Sequence, residues 1–480
     1  MYNRNEIETM LKYIGRGHGK EIADYNPSSG EIIAKIKSFN IEDLRASIEI
    51  ANKSSYMWAK YTPPKRGQVL LKAGELMELE KESIAQLMTL EEGKTLKDSI
   101  LEVERSAYTL KFYGAIAYKY GGKTIPSSDL DTKIMTFKEP LGTVALITPW
   151  NFPLSIPVWK IAPALASGNA VVIKPSSKTP LIVAKMIEIL IRAGLPNDIV
   201  QPIVGFGREV GNEIVTNNHI KAVSFTGSVP VGHGIYENVG KKQVMTRVQL
   251  ELGGKNALYV DRDSDLSKAV EFSVRGAFGL TGQSCTATSR LLVHEMVYEK
   301  LKTKILEKLK TWKTGPGLVE GNNMGPVIDK EQLKTDLEYI KDGEAEGAKL
   351  IHGTTEKPRD LFLQPVLFED VTPDMKIFRE EIFGPILTLT LVNSVDEAID
   401  KCNSVIYGHT AGIVSNNNTV INKFIAGVDA GVIKVNKPTI GLELQAPFGA
   451  FKGSGANTWK EMGGDAMDFY TKEKTTYLGW

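Results

Sequence analysis

Two residues near the middle of the chain have the types needed for covalent chemistry on a carbonyl. Cys285, one of two cysteines, ends the small-residue run Gly282-Gln283-Ser284-Cys285, and Glu251 ends a β-prone run before Leu252-Gly253-Gly254-Lys255. A thiolate is a strong nucleophile, and a carboxylate beside it can serve as a general base. Taken singly, each also has a plainer reading, since free cysteines are mostly small buried hydrophobes and acids are mostly exposed or ion-paired. Cys402 keeps that plainer reading, because Ala398-Ile399-Asp400-Lys401-Cys402-Asn403 has the pattern of an amphipathic helix. A third candidate, Asn151 in Trp150-Asn151-Phe152-Pro153, offers an amide donor to an oxyanion, although asparagine there equally suits a helix N-cap.

The elements that must position these residues alternate in type. Val144-Ala145-Leu146-Ile147, Ala170-Val171-Val172-Ile173 and Ala222-Val223-Ser224-Phe225 are short apolar runs ending in polar loops. Amphipathic helices are predicted between and after them, over 158–166, 180–193 and 231–239. Apolar strands alternating with helices argue for a parallel sheet covered on both faces, with function at the carboxyl ends of its strands. A second β and α stretch runs from Asn256 to about Val435 and carries Cys285. Before the first sheet, a short leader is followed by predicted helices over 41–59, 66–90 and 96–120, so the opening quarter is expected to be mainly helical. Residues 125–137 and 467–477 are extended and polar, and are expected to pair with each other or with another subunit.

A chain of 480 residues needs two or three structural units. With 58 Lys plus Arg against 57 Asp plus Glu, it offers no electrostatic argument for nucleic acid or membrane. Two distant cysteines and a polar start suggest a soluble cytoplasmic protein, and His18, His219, His233 and His294 have no metal-type spacing.

The loops that follow the strands suggest a dinucleotide. No Gly-x-Gly-x-x-Gly stands in the right place. Gly227-Ser228-Val229-Pro230-Val231-Gly232 instead combines a turn, a capping serine and a first-turn proline, which fits either an ordinary capped helix or a pyrophosphate site. Lys174 closes a buried strand and is placed to bond ribose hydroxyls, while Ser177 and Lys178 suit a 2′-phosphate. No acid stands in this turn to repel that phosphate, which favours NADP over NAD, and a solvated helix start is the plainer reading.

Taken together, Trp150-Asn151-Phe152-Pro153, Lys174-Pro175, Phe225-Thr226-Gly227-Ser228, Glu251-Leu252-Gly253-Gly254-Lys255, Gly282-Gln283-Ser284-Cys285 and Glu380-Glu381-Ile382-Phe383-Gly384-Pro385 resemble the aldehyde dehydrogenase superfamily over essentially the whole chain. The resemblance implies an α/β fold: a Rossmann-like parallel-sheet cofactor domain over 1–120 and 141–250, an α/β catalytic domain over 251–435, and a small β oligomerisation arm with the C-terminal segment over 121–140 and 436–480. It implies Cys285 as nucleophile, Asn151 and the Cys285 N–H as oxyanion donors, and Glu251 as base. It also implies Trp150, Lys174, Ser177, Lys178, Gly227, Ser228, Glu381 and Phe383 as cofactor contacts, with Glu461 in a proton path. Coenzyme A-dependent members characteristically lack the acid at Glu251, so hydrolysis to a carboxylic acid is expected. Many NAD-preferring members have glutamate where Ser177 stands, which supports NADP, with NAD also accommodated.

Longer runs, among them Phe278 to Arg290 and Val435 to Gly449, resemble the archaeal 2,5-dioxopentanoate (α-ketoglutarate semialdehyde) dehydrogenase branch. The expected partner is thus a small aldehyde, 2,5-dioxopentanoate first, with another semialdehyde, glyceraldehyde or a broad aldehyde range as alternatives. Phe152, Trp159 and Phe448 are expected to line an apolar tunnel. Lys437 and Arg290 are candidate carboxylate anchors, with structural ion pairs or surface charges as their plainer reading. A homotetramer or homodimer is expected from the family.

Overall fold

A computed structural model describes residues 4–480. The apolar runs that end in polar loops form a five-stranded parallel sheet in the spatial order Val200–Pro202, Ala170–Lys174, Thr143–Ile147, Ile220–Thr226, Arg247–Glu251. Ala170–Lys174 is buried throughout, as expected of a strand covered on both faces. The helices Ser155–Ala166, Pro180–Arg192 and Val229–Gly240 fall where helices are predicted, with starts displaced by up to three residues.

Strand order reverses direction beside Thr143–Ile147: the chain first builds outward on one side through Ala170–Lys174, then returns to the other through Ile220–Thr226. Loops leaving the carboxyl ends at such a reversal diverge and leave a crevice. The Thr148–Asn151 and Gly227–Ser228 loops leave from the two strands that flank it.

A second sheet has seven strands in the order Lys349–His352, Val366–Glu369, Ile386–Val392, Thr288–His294, Asn256–Val260, Thr410–Val414, Val432–Val435. All its pairings are parallel except that of the first strand. Four residues, Leu252 to Lys255, carry the chain from Glu251 at the end of the first sheet to Asn256 at the start of a second-sheet strand. The third sheet pairs Thr471–Gly479 antiparallel with Thr132–Pro140, which also takes Thr124–Ile125. The two polar extended segments thus pair with each other within one chain.

The opening quarter is mainly helical, as expected, but differs from the reading in two places. The helix Arg4–Ile14 and an antiparallel hairpin of Glu21–Tyr25 with Ile32–Lys37 occupy the segment read as a leader. Asn26-Pro27-Ser28-Ser29-Gly30, with Gly30 at φ +75°, is the turn between the two strands. The helix predicted over 66–90 is two helices, Pro63–Leu79 and Lys81–Glu92. The break falls at Glu80, whose carboxylate is held by Lys185 at 2.7 Å and Arg192 at 2.6 Å.

Residues of the C-terminal segment contribute Phe448, Met462, Met467, Phe469 and Tyr470 to the same buried apolar cluster as the five-stranded sheet. This packing brings Gly455 opposite Glu251 and Glu461 opposite Phe448.

Candidate functional site

Cys285 stands at the seam between the two large sheets, in a loop that regular backbone could not form. Leu280, Thr281 and Gly282 follow one another at φ +55°, +58° and +68°, a left-handed run that costs energy for the first two. Gly282 is required for a further reason: a Cβ there would sit 2.1 Å from the Gly384 carbonyl oxygen. The loop is pinned on both sides of the thiol. Asn256 Nδ2 donates to the Cys285 carbonyl at 2.8 Å and the Ala287 carbonyl at 2.9 Å, and Ile328 N–H donates to Gln283 Oε1 at 2.9 Å. Burial, and then the charges of Glu381, Glu251 and Glu461, push the Cys285 thiol above its ordinary range, so its resting form is protonated.

Asn151 is not a helix N-cap, since its helix begins at Ser155 with Leu154 in the capping position. Its Nδ2 instead donates to the Gln283 carbonyl at 3.0 Å, two residues before the thiol. An amide nitrogen has two hydrogens, so this bond leaves one for a ligand oxygen. The turn around it is stapled from below by a buried pair absent from the sequence reading. Lys94 Nζ donates to the Asn151 carbonyl at 2.6 Å and to Glu102 Oε2 at 2.7 Å, while Glu102 Oε1 accepts from the N–H groups of Leu154 and Ser155. The available signal was positional: Lys94 directly follows the helix-ending Gly93 at φ +96°, where no further helix surface needs a lysine.

Glu251 is buried, and its Oε2 has no hydrogen-bond partner. Burial first, and Glu461 second, raise its carboxyl well above the ordinary range against the opposing pull of Lys160 and Lys460. Glu461 is itself paired with buried Lys160, which also donates to Ser224 Oγ at 2.8 Å. The Gly253-Gly254 link that follows Glu251 admits no side chain. A Cβ on Gly254 would lie 2.6 Å from the Cys285 carbonyl oxygen, and one on Gly253 would overlap Glu381.

The crevice also holds groups suited to a dinucleotide. Lys174 is buried, donates only to the Pro175 carbonyl at 3.2 Å, and is lowered by burial to about 8, so hydroxyl acceptors would improve its position. Ser228 precedes the helix Val229–Gly240 but makes no side-chain cap bond, contrary to the capping expectation, so the helix end is not closed by its own serine. Lys178 is engaged rather than free: it pairs with Asp329 and lies 5.6 Å above the Trp150 ring. Ser177 is half-buried in the same turn. Glu381 Oε1 accepts from Gly254 N–H at 2.8 Å, and burial raises its carboxyl to about 7. Phe383, at φ +63°, sets its ring edge-on to Trp150 at 5.6 Å.

Of the expected tunnel residues, Trp159 and Phe448 meet edge to face at 6.2 Å, and Phe152 lies under the Lys94 ammonium at 4.7 Å. Arg290 is excluded as an anchor. It is buried and donates to the carbonyls of Lys255, Lys401 and Cys402, tying strand to helix. Lys437 is exposed. Lys434 nearby donates to the Gly441 carbonyl at 2.6 Å and is lowered by burial and then by the charges of Lys437 and Arg105.

A thiol, a half-used amide and an orphan carboxylate thus meet at one seam, beside the loops that leave the strand ends. The sequence profile of the aldehyde dehydrogenase family matches residues 13–476. The chain belongs to the aldehyde dehydrogenase family. It is an enzyme of a family that uses NAD or NADP and acts on small aldehydes. It is 59% identical to the 2,5-dioxopentanoate dehydrogenase of Saccharolobus solfataricus, over 97% of this chain and 98% of that one. It is 41% identical to the alpha-ketoglutarate semialdehyde dehydrogenase of Haloferax volcanii, over 94% of each. Among solved structures, a betaine aldehyde dehydrogenase variant from Staphylococcus aureus, in complex with NAD+ and with a BME-modified cysteine, superposes with a TM-score of 0.93 at 30% identity. That match covers 98% of this chain and 97% of the other. Among the described residues no helix is long and apolar enough to cross a membrane, and no group of three or more His, Cys, Asp or Glu could hold a metal ion.

Proposed function

We propose that this aldehyde dehydrogenase oxidises 2,5-dioxopentanoate to 2-oxoglutarate through a thioester on Cys285 that is then hydrolysed. The observation that carries the reading is the Asn151 Nδ2 bond to the Gln283 carbonyl at 3.0 Å, which sets a donor with one hydrogen to spare beside the thiol. Cys285 gives its thiol proton to solvent water, Sγ attacks the aldehyde carbon, and the developing oxyanion accepts from Asn151 and from the Cys285 N–H. A nicotinamide cofactor, when bound, supplies the hydride acceptor for oxidation of this adduct. Lys174 would hold ribose hydroxyls, the open end of the helix Val229–Gly240 with Gly227 and Ser228 would receive the pyrophosphate, and Glu381, Phe383 and Trp150 would hold the nicotinamide half. Glu251 then takes a proton from a water that attacks the thioester, and the Cys285 thiolate leaves. Glu461, paired with Lys160, gives the proton a route away from Glu251.

The 59% identity to a 2,5-dioxopentanoate dehydrogenase over nearly the whole of both chains supports the substrate. NADP is the preferred cofactor in this reading, with Ser177 and Lys178 toward the 2′-phosphate. Because Lys178 is paired with Asp329, Asp329→Asn should raise NADP preference over NAD. The projecting sheet of Thr132–Pro140 and Thr471–Gly479, with Tyr477 and Trp480 exposed, serves subunit pairing in a homodimer or homotetramer.

Pre-steady-state kinetics test the mechanism. Glu251→Gln should keep the first burst of reduced cofactor and lose steady turnover, because the base acts after acylation. Equal loss of both would assign Glu251 to thiol activation instead. Comparing kcat/KM for 2,5-dioxopentanoate, succinate semialdehyde, glyceraldehyde and an uncharged aldehyde tests the substrate, and a preference for the uncharged one would refute it.

A further inference from the structure

His409 lies outside every motif discussed above, yet it faces Glu251. It immediately precedes the strand Thr410–Val414, which runs beside Asn256–Val260. Its ring is buried, and its Nε2 lies 3.9 Å from Glu251 Oε2. Neither atom has a hydrogen-bond partner. Two buried polar atoms left unpaired and facing each other is an arrangement that packing alone does not favour. The imidazole is fixed on its other sides. Phe448 packs against it at 5.2 Å, and its Nδ1 is 3.4 Å from Thr410 Oγ1. A Cβ on Gly254 would meet both His409 Cβ at 3.0 Å and the Cys285 carbonyl oxygen at 2.6 Å, so histidine, link and nucleophile loop are packed as one unit.

We propose that His409 is a positioning residue for Glu251, donating its Nε2–H to the Glu251 carboxylate and thereby keeping that side chain ionised and oriented for attack on the Cys285 thioester. The inference rests on Glu251 being the hydrolytic base. In the tautomer that carries its proton on Nε2, Nδ1 is free to accept from the Thr410 hydroxyl 3.4 Å away, and a rotation of the carboxylate closes the gap to Nε2. Burial, and then the charge of Lys460, lower His409 to about 4, so it acts as a neutral donor. Glu251 is opposed by Glu461 and by burial and assisted by Lys160, Lys460 and the Ala450 N–H. A charge-assisted bond from His409 adds to the assisting side.

The test compares wild type, His409→Leu, His409→Gln and Glu251→Gln by burst titration and by the pH dependence of steady turnover. Losing the donor raises the Glu251 carboxyl further, so the acidic limb in His409→Leu should move to higher pH by about one unit, with the burst amplitude retained. His409→Gln, whose amide reaches the Nε2 position, should restore the limb. The burst counts folded sites, so partial unfolding does not imitate the shift. If leucine prevents folding, His409→Asn, whose amide falls short of Nε2, serves in its place. An unmoved limb, even with turnover lowered equally at all pH values, overturns the inference, as does loss of the burst or failure of glutamine to restore the limb. If Glu251→Gln keeps its burst while His409→Leu leaves the limb unmoved, His409 fails and the hydrolytic reading stands. Equal loss of burst and turnover in Glu251→Gln fails the hydrolytic reading itself.

Discussion

Removing the Lys94 ammonium should loosen the Asn151 turn and destabilise the fold together. Lys94 and Glu102 are 2.7 Å apart and almost fully buried, and the same ammonium donates to the Asn151 carbonyl. Lys94→Met keeps the unbranched stem, one atom shorter, and deletes the charge. Breaking a buried pair by removing one partner costs about 3–5 kcal/mol. Here the lower end applies, because Glu102 keeps the Leu154 and Ser155 N–H groups and its charge is not left bare. A loss of about 3 kcal/mol lowers the thermal midpoint by roughly 6–12 °C at the scaling found for domains of 150–250 residues. Glu102→Gln can still accept from both N–H groups but turns its NH2 toward the Lys94 ammonium, so it should also cost about 3–5 kcal/mol. In a double-mutant cycle the two changes should couple by about 1–3 kcal/mol, measured by urea and thermal unfolding. The burst rate of Lys94→Met should fall as well, because Asn151 Nδ2 loses its fixed position. Additive effects of the two substitutions, or a full burst rate in a destabilised Lys94→Met enzyme, would refute the staple.

Three further outcomes follow from the geometry. Asn151→Ala should lower the burst rate by about 10²–10³-fold, the usual effect of losing one oxyanion donor, while the thermal midpoint moves little; a larger effect on stability than on the burst would make Asn151 structural. Burial pushes the Glu381 carboxyl up to about 7, and a carboxylate accepts hydroxyl bonds better than its acid, so cofactor Kd should weaken as pH falls from 8 to 6. Glu381→Gln should flatten that dependence in a fluorescence titration, and a pH-independent Kd in the wild type would remove Glu381 from the cofactor site. Arg290→Leu should cost about 3–5 kcal/mol of stability by orphaning carbonyls of Lys255, Lys401 and Cys402. It should leave the ratio of kcat/KM for acidic and uncharged aldehydes unchanged, and a collapse of that ratio would restore Arg290 as an anchor.

Much of the first sheet was legible because its signal is local. A fully buried parallel strand needs a short apolar run, and Val144–Ile147, Ala170–Ile173 and Ala222–Phe225 each supply one. The hairpin Glu21–Tyr25 with Ile32–Lys37 escaped the reading because charged residues interrupt both short strands, and one of them, Asp24, is buried where an apolar residue is expected. Glu80 as a helix break was equally hidden, since its partners Lys185 and Arg192 lie more than a hundred positions away.

For the candidate site, the sequence by itself determined the cast: a cysteine in a small-residue loop, an acid before two glycines, an amide after a strand, and their order along the chain. Those are properties of residue type and spacing, which the backbone carries locally. Tertiary structure decided what each group can do. Lys178 met Asp329, Arg290 met three carbonyls, and Asn151 met Gln283 instead of capping a helix. It also buried Glu251 opposite His409, setting 3.9 Å apart two side chains that lie 158 positions apart in the numbering. Ionisation and pairing depend on desolvation and on every charge nearby, and those sums exist only once distant segments share one interior.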